Sequence, residues 1–114
     1  MGSRETDQFE AWWNTLSINE QRHLAQAVEL LAEYGPSLGR PLVDTISGSR
    51  HANMKELRAS TTRTLFAFDQ RRAAILLLGG DKFGKWRTWY DQAIPQADAL
   101  FDEHLRSLND QGLI

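Results

Sequence analysis

The chain has 114 residues, no cysteine, 41% hydrophobic residues and a formal net charge of −2. This length and hydrophobic fraction are typical of one folded domain, predicted here over residues 1–114. The lack of cysteine excludes disulfides and thiolate metal sites, and no apolar run approaches the roughly 20 residues of a membrane span. We therefore expect a cytoplasmic protein without a membrane segment.

Two amphipathic helices are predicted in the first third of the chain. Asp7 and Glu10 have the spacing of a capping box, and Ser17 and Glu20 repeat it. The second helix is predicted to end at Tyr34-Gly35-Pro36, because glycine takes the left-handed cap and proline cannot continue a helix. The two helices are expected to form a hairpin. Residues 1–6 are expected to be disordered or to be an addition to the native chain.

The hydrophobic pattern changes in the middle of the chain, from a helical spacing to short runs typical of strands. Residues 36–49 are predicted as a loop with one turn of helix near 42–46. Short runs follow about ten residues apart, which is typical of an antiparallel meander. These predicted strands are Asn53–Ala59, Arg63–Asp69 and Ala73–Leu78. The third run is apolar on both faces and is predicted to be the central strand.

A glycine-rich loop, Gly79 to Lys85, and a second helical region complete the pattern. Residues 86–93 are predicted as one or two helical turns, and Pro95 is expected to open the last helix because it lacks a backbone donor. The order of elements predicts an α+β fold, with an N-terminal helical hairpin, a small antiparallel β-sheet and a C-terminal helix.

The charge is divided unevenly along the chain. Residues 1–49 carry −4, residues 50–87 carry +6 and residues 88–114 carry −4. Strand alternation places Lys55 on one face of its strand and Arg58 on the other. Arg58, Arg63 and Lys82 are expected to converge in a cationic cleft, although solvated side chains on an exposed sheet face are an alternative. Trp89 is predicted to be in the core, whereas Trp86 and Tyr90 suit either core packing or base stacking.

Metal and triad chemistry have little support in the sequence. His23, His51 and His104 do not pair at ligand spacing, so no metal site and no cofactor are predicted. The glycine-rich loop lacks the spacing of a phosphate-binding loop.

Several segments resemble a known family. They are FEAWWNTLS, MKELRAS, TRTLFAFD, ILLLGGDKFGKW and IPQADALFDEHL. Together they resemble the RelE/HigB superfamily of type II toxins, in particular its phage-derived Gp49-like branch. The resemblance implies one RelE-like domain that acts as a ribosome-dependent mRNA endoribonuclease. It also implies inhibition by a cognate antitoxin, often a helix-turn-helix DNA-binding protein, and mRNA and the ribosome as partners. Members usually begin with a strand, for which this chain has little room.

The resemblance assigns candidate residues by position. Those expected to be catalytic are Lys55, Arg58, Arg63 and Lys82. Those expected to bind RNA are Arg50, His51, Lys85, Trp86, Arg87 and Tyr90. The expected chemistry is attack by the substrate's 2′-OH on the adjacent phosphate, with the arginines stabilising the extra charge. Two alternatives remain open: a non-catalytic nucleic-acid-binding module, and a ParE-like toxin that acts on DNA gyrase.

Overall fold

The computed structural model describes residues 3–81 and 86–114. Its elements are β1 (Ser3–Glu5), α1 (Asp7–Trp13), α2 (Ile18–Tyr34), a 3-10 turn (Gly35–Ser37), β2 (Val43–Thr45), β3 (Lys55–Ala59), β4 (Thr62–Phe68), β5 (Ala74–Asp81) and α3 (Trp86–Asp110). The strands form one sheet in the order β1-β5-β4-β3-β2. The predicted α+β fold is confirmed.

The sheet separates two hydrophobic cores. On one face α1 lies over β5 and α2 over β3, and on the other face α3 crosses β4 and β5. The first core consists of Phe9, Leu16, Leu24, Ala27, Leu31, Val43, Leu57, Ala59, Phe66, Ala74 and Leu76. The second consists of Met54, Leu65, Ala67, Ile75, Leu77, Leu78, Ala93, Ala97 and Phe101. β5 contributes to both cores, which explains its continuous apolar run.

The helix boundaries follow capping chemistry. Ser17 and Glu20 form the predicted capping box at the start of α2, and Gly35 ends that helix with a φ of +56°. The cap of α1 is Thr6 and not Asp7: the Thr6 hydroxyl accepts the backbone N–H of Phe9 at 3.0 Å. The predicted order of two consecutive helices is confirmed, and each of them rests on the sheet.

The prediction of a purely antiparallel sheet is wrong at one edge. β1 pairs in parallel with β5, from Ser3 opposite Ala74 to Glu5 opposite Leu76. The prediction of disorder therefore fails for residues 3–5, because backbone pairing compensates for their low strand propensity. Thr6 extends the connection through its hydroxyl, which donates to the carbonyl of Leu77 at 2.5 Å.

β2 is a second element that the sequence pattern missed. Residues 43–45 form an edge strand antiparallel to β3, where a helical turn was predicted. With β1 and β2 present, the middle strand of the sheet is β4, and β5 lies one position from the edge. The expectation that the third run is the central strand is corrected accordingly.

α3 runs without interruption through Pro95, so the prediction that Pro95 opens the last helix is wrong. Residues on both sides of Pro95, such as Trp89 and Ala97, pack on the same sheet face, and this packing offsets the lost backbone hydrogen bond. Gly79 and Gly80 are strand residues of β5 and not part of a loop. Trp12 lies directly over Gly79 and Trp89 over Gly80, so both glycines are needed for close packing.

Candidate functional site

The candidate site lies where the α3 face of β3 and β4 meets the first turn of α3. Glu56 and Arg58 both point toward this face because they are two residues apart on β3. The Arg58 Nε donates to Glu56 Oε2 at 2.9 Å, and the Tyr90 hydroxyl of α3 donates to Glu56 Oε1. The Glu56 side chain is 5% exposed. A buried carboxylate is therefore held on both oxygens by a cation and a phenol.

Arg63 completes the site from the neighbouring strand. It is directly opposite Arg58 in the register of β3 and β4. Its Nη1 donates to the backbone carbonyls of Thr62 at 2.8 Å and Ser60 at 3.2 Å. Its guanidinium carbon lies 5.6 Å from the centre of the Trp86 ring, within cation–π range. Within the described residues, Arg63 has no carboxylate partner.

Burial and charge shift the pKa values at the site. Burial raises the pKa of Tyr90 to about 12, with further contributions from its hydrogen bond to Glu56 and from the charge of Glu56. The hydrogen bond to Glu56 raises the pKa of Arg58, with the charge of Asp44 adding to the effect. Tyr90 is thus a phenol, and a hydrogen-bond donor, throughout the neutral range.

A groove of about 670 Å³ opens beside the Glu56 carboxylate. One wall is the segment that follows β2, and the other is the first half of α3. The lining includes Thr45, Ile46, Ser47, Gly48, Trp86, Arg87, Tyr90, Asp91, Ile94 and Pro95. The aromatic rings of Trp86 and Tyr90 lie 5.7 Å apart, so the site presents stacking surfaces beside two guanidinium groups.

The structure brings together four of the predicted site residues: Arg58, Arg63, Trp86 and Tyr90. Lys55 is not among them, because it shares the other face of β3 with Leu57 and its Nζ donates to Thr45 Oγ1 at 3.1 Å. Arg87 is exposed at the rim of the groove. Lys82 and Lys85 lie outside the described residues, so the expectations for them stay predictions.

Arg50 and His51 bind α3 instead of facing the cluster. Arg50 Nη2 lies 2.5 Å from Asp102 Oδ2, and His51 Nε2 lies 2.7 Å from Asp102 Oδ1. Asp98, which is 3% exposed, accepts the Arg50 backbone N–H and the Ser49 hydroxyl. These contacts hold the β2–β3 connection against α3, so the two residues have a structural role at this position.

Sequence reasoning missed Glu56 as a site residue, although strand alternation already placed it on the face of Arg58. It also missed Asp44, whose Oδ2 lies 3.3 Å from Arg58 Nη2. Among residues 3–81 and 86–114, no group of three or more histidine and acidic side chains is arranged to hold a metal ion. In the same residues, no helix combines the length and apolar character of a membrane span.

The sequence matches the family of phage-derived Gp49-like proteins (DUF891) over residues 11–102. The chain belongs to this family. Two relatives from Mycobacterium tuberculosis (strain ATCC 25618 / H37Rv) support the assignment. A protein named as toxin HigB2 is 48% identical over 111 residues, covering 93% of this chain and 55% of that protein. A protein named as toxin HigB3 is 49% identical over 102 residues, covering 88% of this chain and 90% of that protein. The chain therefore spans about half of the first relative and most of the second.

Solved structures place this Gp49-like chain in the RelE fold. The archaeal RelE–RelB complex from Pyrococcus horikoshii OT3 contains a chain with a TM-score of 0.60 and 14% identity, covering 74% of this chain and 97% of that one. The RelB–RelE antitoxin–toxin complex from Methanococcus jannaschii contains a chain with a TM-score of 0.57 and 14% identity, covering 76% of this chain and 94% of that one. At this identity the likeness establishes the fold, and the RelE/HigB resemblance is confirmed.

Proposed function

We propose that this Gp49-like protein is the toxin of a type II toxin–antitoxin system and inhibits translation by cleaving mRNA at the ribosome. The observation that carries the proposal is the cluster of Arg58, Arg63, Glu56 and Tyr90 beside Trp86. The names of the HigB relatives and the RelE-like fold support the same conclusion. The cluster supplies charge for a phosphate, a carboxylate for a proton and aromatic rings for a base.

The proposed reaction uses the 2′-hydroxyl of the substrate as nucleophile. Its oxygen attacks the adjacent phosphorus while its proton passes to a base. The bond to the 5′ oxygen of the next nucleotide breaks as that oxygen takes up a proton from water. The products are a 2′,3′-cyclic phosphate and a 5′-hydroxyl. Arg63 binds the phosphate and the negative charge that grows on its oxygens, because its guanidinium is permanently protonated.

Glu56 is our candidate for the proton acceptor. Its carboxylate projects from β3 toward α3 beside Arg58, and the Tyr90 hydroxyl fixes its orientation. A general base must lie within hydrogen-bond reach of the proton that it accepts. Arg58 balances the charge of Glu56 at rest and is available to the phosphate in the complex. Lys82 remains a predicted catalytic residue that could polarise the nucleophile or accept its proton.

An antitoxin is the proposed protein partner. The related solved chains are found in complexes with RelB antitoxins. An inhibitor that covers the groove beside Arg63 and Trp86 would prevent RNA from entering. An acidic segment on that inhibitor would be attracted by the arginines of the site.

The test is a translation reaction with purified protein and a defined mRNA, in which new 5′ ends are mapped. Glu56→Gln is expected to lower the cleavage rate by about 100- to 10,000-fold, the range for loss of a general base. Arg63→Gln is expected to lower it by about 100- to 1,000-fold, the range for loss of a charge-stabilising donor. Arg106→Gln removes an exposed cation from the far part of α3 and serves as the matched control.

Four outcomes would contradict the proposal. Folded wild-type protein that leaves ribosome-bound mRNA intact would exclude the nuclease. RNA binding without new ends would favour a non-catalytic binding module. DNA damage in cells without loss of mRNA would favour an action on gyrase. Unchanged cleavage by folded Glu56→Gln and Arg63→Gln would show that the reaction occurs elsewhere.

A further inference from the structure

We infer that Asp44 acts as a built-in counterion of Arg58, which a phosphate of the RNA must displace before this arginine takes part in binding. The inference rests on the proposed function, because it identifies a positioning residue for the same site. Asp44 lies on the edge strand β2, in a region where the sequence pattern predicts no functional residue.

The geometry of Arg58 is the first argument. A guanidinium binds a phosphate side-on through Nε and one Nη, which form parallel donors. In this structure Nε donates to Glu56 at 2.9 Å and Nη2 donates to Asp44 at 3.3 Å. Both donors of the side-on pair are therefore occupied by carboxylates. Arg63 has no contact with a carboxylate within the described residues, so its charge is available without rearrangement.

The two carboxylates differ in how easily they can be displaced. The Glu56 side chain is 5% exposed and is also held by Tyr90, whereas the Asp44 side chain is 25% exposed. Asp44 also has a second cationic partner, because Arg40 Nε lies 3.2 Å from Asp44 Oδ1. The Arg40 side chain is 78% exposed. A phosphate can then bind end-on through Nη1 and Nη2 of Arg58, while Nε stays on Glu56 and Asp44 keeps its contact with Arg40.

The consequence is a division of roles between the two arginines. Arg63 is the first contact for the RNA backbone, and Arg58 joins only after Asp44 has moved. Asp44 thereby lowers the affinity of the free protein for RNA in general. It also keeps the Arg58 guanidinium beside Glu56 in the absence of substrate.

The test is binding of a fluorescently labelled, 12-nucleotide single-stranded RNA with 2′-O-methyl groups, which the proposed reaction cannot cleave. Asp44→Asn is expected to bind about two- to five-fold more tightly at low salt, the range for release of one exposed ion pair. Asparagine retains an oxygen for the Thr45 backbone N–H, which Asp44 Oδ1 accepts at 3.0 Å. Glu29→Gln, an equal charge change on the exposed face of α2, is the control.

A double-mutant cycle separates this role from a general charge effect. In an Arg58→Gln background, Asp44→Asn is expected to give no gain in affinity, because the guanidinium that Asp44 occupies is absent. An equal gain from Glu29→Gln, a gain that persists in the Arg58→Gln background, or no gain in a folded Asp44→Asn protein would overturn the inference. Absence of RNA binding by every folded variant would overturn the inference, whereas the proposed function is tested separately by the translation reaction.

A second variant keeps the test informative if Asp44→Asn fails to fold. Arg40→Gln removes the alternative partner of Asp44 and leaves its charge committed to Arg58. It is expected to weaken RNA binding more than Arg22→Gln, which removes an exposed cation from α2, and this difference is expected to vanish in the Arg58→Gln background. Equal effects of the two changes would count against the counterion role.

Discussion

Glu56 shows how one buried charge is stabilised at the level of single residues. A carboxylate without partners would be costly at 5% exposure, but Arg58 supplies charge and Tyr90 supplies a hydroxyl. Burial and this hydrogen bond raise the pKa of Tyr90 to about 12. The unfolded chain ionises a tyrosine near pH 10. The stabilisation by this contact is therefore fully present below about pH 10 and is lost between about pH 10 and 12.

Tyr90→Phe tests that contact. The ring remains for packing while Glu56 loses one of its two partners, so we expect a decrease of about 1–3 kcal/mol in the free energy of unfolding at pH 8. The decrease is expected to shrink toward pH 11, as the tyrosine ionises in the unfolded wild-type chain. Urea unfolding at the two pH values measures it. Tyr34→Phe, in which the lost hydroxyl belongs to a half-exposed ring on α2, is the control. A decrease in the free energy of unfolding that grows between pH 8 and 11 would contradict the stabilising role of the Tyr90–Glu56 hydrogen bond.

The site residues were predictable to the extent that strand alternation determines which face they share. Arg58 and Arg63 were expected to meet, and they are cross-strand neighbours in the register. The same alternation separates Lys55 from them. Glu56 was not predicted as a site residue, because an acidic side chain within a basic segment is most simply explained as a counter-charge. The roles of Arg50 and His51 depend on Asp98 and Asp102, about 50 residues away, and no local pattern contains that pairing.

The glycine pair of β5 illustrates packing at the level of elements. A Cβ on Gly80 would lie 2.4 Å from the Trp89 indole nitrogen, and a Cβ on Gly79 would lie 2.3 Å from the Trp12 ring. α1 and α3 thus approach the two faces of the same strand through one tryptophan each. The two glycines predicted a loop from the sequence. Glycine is required there because tryptophans on two distant helices approach the strand backbone closely.

Gly80→Ala is expected to lower the free energy of unfolding by about 1–3 kcal/mol, because Trp89 must move and the start of α3 must shift with it. The emission spectrum of the tryptophans is expected to change as well, since Trp89 lies beside Trp86. Gly39→Ala provides the control, because nothing lies within 4 Å of a Cβ at that position. Equal stability of the two variants in urea unfolding would show that the Gly80 contact carries no constraint.

Whole elements were predictable where local chemistry decides them. The capping box at Ser17 and the stop at Gly35 depend on neighbouring residues, and both are confirmed. β1 and β2 have three residues each and owe their conformation to pairing with β5 and β3. The continuation of α3 through Pro95 depends on contacts with the sheet. Tertiary context thus decides β1 and the continuation of α3 against their local propensity, and in β2 it decides where the strand lies.

At the scale of the whole molecule, the net charge of −2 hides two different surfaces. The basic segment forms the sheet strands that carry Arg58 and Arg63, whereas the acidic ends form the helices on either side. Parts of those ends act as counterions: Asp44 for Arg58, and Asp98 and Asp102 for Arg50. The acidic ends are therefore part of the site's electrostatics. Of the two arginines at the site, Arg63 is the one without a carboxylate partner among the described residues.

Asp69 connects distant parts of the fold, and its pKa predicts how stability responds to acid. Its Oδ1 accepts the backbone N–H groups of Arg71 and Ala73 in the β4–β5 turn, and its Oδ2 lies 3.0 Å from His104 Nε2 on α3. Burial alone would raise the pKa of Asp69, but the hydrogen bonds from His104 and the turn lower it below 3.8. A lowered carboxyl pKa stabilises the fold above the unfolded value, and this contribution is lost as the pH falls through the folded pKa.

Asp69→Asn is therefore expected to lower the free energy of unfolding by about 1–3 kcal/mol at pH 5.5, because the amide keeps an acceptor for the turn but loses the charge that faces His104 and Arg71. The difference from wild type is expected to narrow at pH 3, which lies below the pKa of about 3.9 that an aspartate has in the unfolded chain. Urea unfolding at the two pH values measures both quantities. Glu103→Gln makes the same charge change at an exposed position of α3 and should have little effect. A deficit of equal size at both pH values would show that Asp69 acts through shape alone, and that its charge does not join the turn to α3.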